Sequence, residues 1–200
     1  VSALADKIAE ALSRSTWETS DFDLNPETRL DAGCKLRPAG VLLGIETFGQ
    51  RPEVLLTKRS SALKHHPGQI AFPGGKVDPT DEDATAAALR EAWEEVALPC
   101  DRTRILGQLP QHETVTGFRV TPIVALIERP FESRSEIGEV AEVFRVPLDH
   151  VLDISRYQVQ SRIWRGSRRY YFTVPFGPYY VWGATARMLR GFAAAMDPRQ

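Results

Sequence analysis

The sequence predicts an α+β fold, a sandwich of strands and helices, and three observations carry that expectation. Short apolar runs of strand character recur along the chain, one amphipathic helix interrupts them over roughly Asp81 to Leu98, and a second amphipathic stretch, TARMLRGFAAAM, suits a closing helix. Strands and helices do not alternate in regular βαβ units, which argues against a doubly wound sheet. With 200 residues, 42% of them hydrophobic, the chain can fill one substantial core and would be cramped as two domains.

Taken in order, Leu4, Ile8 and Leu12 stand at helical spacing, so Ala3 to Leu12 reads as a helix. The stretch through Pro38 is polar and turn-rich. Residues 1–38 are therefore expected to form an N-terminal helix and arm, and residues 39–200 the main body of a single globular domain. AGVLLGIE and EVLLTKR read as strands separated by the FGQRP turn, and QIAFPGG as a segment ending in a glycine turn. The helix that follows is expected to use Thr80 as its cap with Asp83 three residues on, and Pro99 limits its far end. RILGQL, RVTPIVALIE, VFRVPL, RRYYFTV and YYVWG are strand-like.

A net charge of -1, from 25 basic and 26 acidic residues, gives no reason to expect general binding to nucleic acid or to a membrane surface. Cys34 and Cys100 show neither metal-ligand spacing nor a disulfide framework, as expected of free thiols in a reducing compartment. No run of 18 apolar residues occurs, so a cytoplasmic protein is the expectation. The basic run Arg162 to Arg169 and the aromatic residues Tyr170, Tyr171, Phe172, Tyr179, Tyr180 and Trp182 read as ordinary sheet faces rather than as an RNA-binding surface.

The predicted helix carries the chemistry. At about 100° per residue, Glu91, Glu94 and Glu95 fall on one face, while Ala86, Leu89, Trp93 and Val96 form an apolar stripe opposite, able to anchor the helix to a sheet. Three clustered carboxylates repel one another, and a hard divalent cation would reverse that sign, since Mg²⁺ takes oxygen ligands and shares them with phosphate. The small residues Ala84, Ala87 and Ala88 would leave room for a phosphate and its metal. The competing reading is a solvated acidic face; what weighs against it is FPGGKVD upstream, whose paired glycines allow close backbone approach to a ligand.

Together Gly75, Glu82, Arg90, Glu91, Glu94 and Glu95 resemble the Nudix box: glycine, five residues, Glu, seven residues, Arg-Glu, two residues, Glu-Glu. Six residues rather than five separate Gly75 from Glu82, and Ala97 stands where the pattern ends in glycine. A second stretch, LLTKRSSALKHHPGQIAFPGG, is similar to the segment preceding the box in the coenzyme A pyrophosphatases of that superfamily, matching at Leu55, Leu56, Thr57, Arg59, Ser60, Gly68 and Phe72 to Gly75. Lys64 replaces an arginine there, keeping the charge and losing the planar fork.

The resemblance implies a Nudix-like α/β/α sandwich with a mixed sheet. It implies hydrolysis of a pyrophosphate by metal-activated water, with Mg²⁺ or Mn²⁺ held by Glu91, Glu94 and Glu95. Coenzyme A would be cut to 4′-phosphopantetheine and adenosine 3′,5′-bisphosphate; the alternatives are another nucleoside diphosphate derivative or a binding module that has lost catalysis. Arg90 would orient a carboxylate, Glu139 would add a further ligand or base with Glu136 and Glu142 as competitors, and Arg59, Lys64, Gly74 and Gly75 would meet the substrate. The expected partner is a small molecule, with a homodimer allowed.

Overall fold

The computed structural model describes residues 1–28, 33–63, 66–164 and 166–197. Among them a nine-stranded mixed sheet is built on two long neighbours, β2 (Arg37–Glu46) and β8 (Phe118–Ile127), which pair in parallel over their whole length. On the β2 side β3 (Glu53–Arg59) follows, flanked by β4 (Ile70–Ala71) and by β9 (Val140–Pro147), while β5 (Gly74–Lys76) pairs with the first half of β2. On the β8 side lie β6 (Thr103–Gln108) and β7 (His112–Glu113), and the short β1 (Thr19–Ser20) joins β7 in parallel.

Period-two alternation sorts the sheet's residues into two cores. Leu42, Leu55, Ile123, Ala125 and Ile127 face helix α2 (Ala84–Val96). Their neighbours Leu43, Ile45, Val54, Leu56, Val124 and Leu126 face the other side, with α1 (Ser2–Arg14), α3 (Leu148–Leu152) and α4 (Gly183–Met196). Strand residues of both parities are apolar because both faces are covered. The result is the expected α+β, three-layer arrangement.

Several local expectations are corrected. Asp83, not Thr80, caps α2: its carboxylate accepts from the Ala86 backbone N–H at 2.8 Å, so the helix starts three residues later than expected. The face that packs on the sheet is Ala87, Ala88, Ala92 and Val96, whereas Trp93 is 52% exposed. The reason is the closeness of the packing, since a Cβ on Gly40 would lie 1.9 Å from the Ala84 carbonyl oxygen. A helix that near the sheet accepts alanines and has no room for an indole. Ala87 and Ala88 are accordingly fully buried core residues and cannot leave space for a phosphate.

Downstream, YYVWG makes only isolated bridges, Thr173 with Trp182 and Phe176 with Tyr179, instead of a strand. The stretch before RRYYFTV also forms a strand, so β10 (Gln158–Trp164) and β11 (Ser167–Thr173) make an antiparallel ribbon separate from the main sheet. Arg162, Arg168, Arg169 and Tyr170 to Phe172 thus lie on paired strands, as expected, though of this ribbon rather than of the main sheet, while Tyr179, Tyr180 and Trp182 lie outside it.

Candidate active site

The acidic face of α2 grades from buried to exposed. Glu95 is 4% exposed, the Glu91 side chain 19% and the Glu94 side chain 53%. Glu95 is held in by the turn before β5, where the Gly74 N–H donates to its Oε2 at 3.4 Å. Gly75 is needed for a close approach: a Cβ there would sit 2.2 Å from Glu91 Oε1. The two glycines of FPGG thus press a backbone edge against the carboxylates, and both line the adjoining cavity.

Arg90 organises the exposed half of this face. Its Nη1 donates to Glu91 Oε1 and to Glu94 Oε2, both at 3.0 Å. Its Nε and Nη2 form a fork onto Asp81 at 3.0 and 2.9 Å, and Nη2 also reaches the Lys76 carbonyl. Asp81, rather than Glu82, is the acid that anchors Arg90, and the Arg90 bonds hold the Asp81 carboxyl below its usual range. The signal was present in the sequence, because Asp81 follows Gly75 after five residues while Glu82 follows after six.

The electrostatics run uphill elsewhere. Burial lifts the Glu95 carboxyl to about 8, and the Glu91 charge adds to the lift, opposed by Arg59 and the Gly74 N–H. Burial also raises Glu91, against the pull of Arg90. Glu139 contributes to raising both, so it lies within electrostatic reach of the pair, at the point where its carbonyl accepts from the Ser60 N–H at 2.8 Å beside the end of β3. Its competitors separate. Glu136 lines the same cavity and accepts from the Glu139 N–H, whereas Glu142 is engaged by the Tyr179 hydroxyl.

These groups open into a cavity of about 1030 Å³, whose lining includes Arg59, Gly74, Glu91, Glu94, Glu95 and Glu139. Arg59 is near enough to Glu95 to act on its charge, and its Nε is buried without a hydrogen-bond partner. Lys64 lies outside the described residues. Among the described residues, no three acidic, histidine or cysteine side chains converge as they would around an ion. Arg90 takes an oxygen of Glu91 and one of Glu94 instead.

The family model for the NUDIX domain matches residues 36–165, well over half of the chain. The chain belongs to the Nudix family. The sequence is similar to the uncharacterized Nudix hydrolase NudL of Enterobacter sp. (strain 638), 45% identical over 157 residues that cover 78% of this chain and 81% of that protein. It is 44% identical, over the same length and coverage, to the protein of that name from Escherichia coli (strain K12). Solved structures that resemble it include a C. elegans Ap4A hydrolase binary complex, at a TM-score of 0.49 and 22% identity over 56% of this chain and 80% of that one. A MutT protein from Methanosarcina mazei Go1 gives a TM-score of 0.48 and 28% identity over 61% and 84%.

The molecule is thus a Nudix pyrophosphohydrolase, and the cavity beside α2 is where Gly75, Arg90, Glu91, Glu94 and Glu95 of its box meet, while Glu82 lies outside it. No helix among the described residues is long and apolar enough to cross a membrane. The Nudix domain's matched region begins at residue 36 and ends at 165, yet the cavity also takes in Asp21 before it and Arg169, Tyr171 and Trp182 after it. The arm and the ribbon therefore shape the site of this Nudix hydrolase beyond the part that defines the family.

Proposed function

We propose that this enzyme hydrolyses coenzyme A to 4′-phosphopantetheine and adenosine 3′,5′-bisphosphate with a divalent cation, Mg²⁺ or Mn²⁺. The observation that carries the reading is Arg59. It stands in the segment similar to that of coenzyme A pyrophosphatases, and it combines an unpartnered buried Nε with proximity to Glu95. A guanidinium there can meet the pyrophosphate beside the carboxylates. The cavity, at about 1030 Å³, lies at the upper end of the range for small-molecule sites and suits a long substrate.

The donor set fits a hard cation: Glu91, Glu94 and Glu95 offer only carboxylate oxygens, and the buried Glu95 ionises only near 8 unless a positive charge joins it. Glu91, Glu94 and Glu95 would hold the cation, which supplies neutralisation of phosphate oxygens and acidification of a water. Arg90, locked by Asp81, keeps Glu91 and Glu94 together on the solvent side of the helix. Arg59 and the Gly74–Gly75 backbone would orient the pyrophosphate. Water oxygen bonds to one phosphorus, the bridging P–O bond breaks, and the leaving phosphate keeps the electron pair. The water proton passes to a carboxylate facing the cavity, for which Glu139 is the assignment.

The test is to incubate the protein with coenzyme A, ADP-ribose, a dinucleoside polyphosphate and capped RNA, with and without Mg²⁺ or Mn²⁺, and to identify products by mass spectrometry. Metal-dependent release of 4′-phosphopantetheine, with the largest kcat/KM on coenzyme A, is expected. Glu94→Gln, an exposed change, should cut turnover by orders of magnitude with melting unchanged. Equal kcat/KM on coenzyme A and ADP-ribose would overturn the substrate assignment, and near-wild-type turnover of Glu94→Gln at limiting metal would remove that residue from the ligand set.

A further inference from the structure

The β10–β11 ribbon presents an arrangement that neither the acidic helix nor the segment containing Arg59 explains. Arg162 and Arg169 are direct cross-strand partners, so their side chains leave the same face, and both line the active-site cavity. Like charges placed opposite one another across a strand pair destabilise it, and the usual remedy is a counter-charge between them. Arg169 is 8% exposed, and its Nη1 is buried with no hydrogen-bond partner. A guanidinium nitrogen in that condition lacks the acceptor that its desolvation calls for.

The acid facing Arg169 does not supply that acceptor. Asp21 feels the Arg169 charge, but its Oδ1 is bonded to His112 Nε2 at 3.2 Å and its Oδ2 to the Val115 N–H at 2.9 Å. Aromatic rings frame the two arginines. The Arg169 guanidinium lies 5.1 Å from the Trp164 ring centre, and that of Arg162 lies 4.3 Å from the Trp182 ring centre, with Tyr171 edge-on to Trp182 at 5.0 Å. The position of the ribbon is fixed by Asn25, which is 1% exposed and clamps the backbone of Tyr170 through both its amide nitrogen and its oxygen. Arg169 is therefore a preorganised cation in the wall of the cavity, with one guanidinium nitrogen, Nη1, left without an acceptor.

We propose that Arg169, with Arg162, binds a phosphomonoester on the nucleotide half of the substrate, separate from the pyrophosphate that is cut. Resting on the coenzyme A reading, that group is the ribose 3′-phosphate, which dephospho-coenzyme A lacks. The division of labour follows: Arg59, beside Glu95, meets the scissile pyrophosphate, and the ribbon arginines meet the third phosphate. The ribbon thus selects the substrate and the acidic helix cuts it.

The test separates binding from hydrolysis. Calorimetric titration in EDTA with adenosine 3′,5′-bisphosphate and with AMP should give the wild-type protein a preference for the bisphosphate of about ten- to a hundredfold, the worth of a charge-assisted bond to phosphate. Arg169→Gln should reduce that ratio to within about threefold, and Arg169→Lys should restore part of it. In kinetics, the ratio of kcat/KM for coenzyme A to that for dephospho-coenzyme A should fall by the same factor. Arg162 is exposed, so Arg162→Gln supplies a lowered ratio even where the buried Arg169 substitution fails to fold. A wild-type ratio near one, or one that neither folded variant changes, overturns the inference. A protein that prefers the bisphosphate through Arg169 yet leaves coenzyme A uncut supports it and refutes the substrate reading instead.

Discussion

At Glu95 the demands of packing oppose those of the cation binding proposed for it. The residue sits on the buried edge of α2, where Val96 and Ala92 belong to the core, and its carboxyl is lifted to about 8 by burial and by Glu91. Its ordinary value is 4.5, so between the two values the folded protein holds a proton that the unfolded chain has released. The contribution to stability is therefore full below pH 4.5 and declines as pH rises to about 8, at roughly 1.4 kcal/mol per pH unit. In EDTA, the denaturant stability of the wild-type protein should fall relative to Glu95→Gln across that window, and Mg²⁺ should remove the difference. Parallel pH curves for the two proteins would show that Glu95 pays no such penalty. Sequence spacing placed Glu91, Glu94 and Glu95 on one face, but it could not grade their exposure. Helical angle fixes direction, while burial depends on how near the sheet comes, and that was decided by the missing Cβ of Gly40. The same missing atom misled the reading of Trp93.

At the scale of elements, the long apolar strands and the acidic helix were legible because their periods are 2 and 3.6 and their lengths exceed a turn. The short pieces β1, β4 and β7 were not, having two residues each and thus no period to read. The end of α2 was legible as a problem. Ala97 takes the place of the glycine that closes the Nudix box, and it adopts the left-handed conformation, φ 57° and ψ 33°, that a glycine accepts without strain. Its N–H bonds to the Ala92 and Trp93 carbonyls, and the following Leu98 N–H to the Ala92 carbonyl, so carbonyls of the last turn are still satisfied. An alanine there carries a penalty of roughly 1 kcal/mol. Ala97→Gly should therefore raise the denaturation midpoint with an unchanged m-value, a gain of about 1 kcal/mol. A midpoint that stays or falls would mean that the extra backbone freedom of glycine in the unfolded chain outweighs the relief.

For the whole molecule, the decisive feature is that the chain before and after the matched Nudix region is packed into the same body as the site. Ala5, Ile8, Ala11 and Leu12 of α1 lie in the larger core together with Leu189 and Phe192 of α4 and the sheet residues Val124 and Leu126. Asp21 and Thr19 grip the fully buried His112, which stands on β7 between β1 and β8. In the sequence the stretch through Pro38 reads as an arm because its polar, turn-rich composition has no long apolar run, and the contacts that absorb it are with residues 91 to 164 positions away. Such pairings leave no local pattern. If α1 and the catalytic sheet share one core, they unfold together. Ile8 is fully buried, so Ile8→Ala should cost about 2–5 kcal/mol, the range for truncating a core isoleucine. The loss should appear in one cooperative transition, with helical signal, tryptophan fluorescence and hydrolytic activity disappearing at the same denaturant concentration. An early helical transition that leaves activity intact would show instead that α1 is an appendage whose burial the catalytic body does not need.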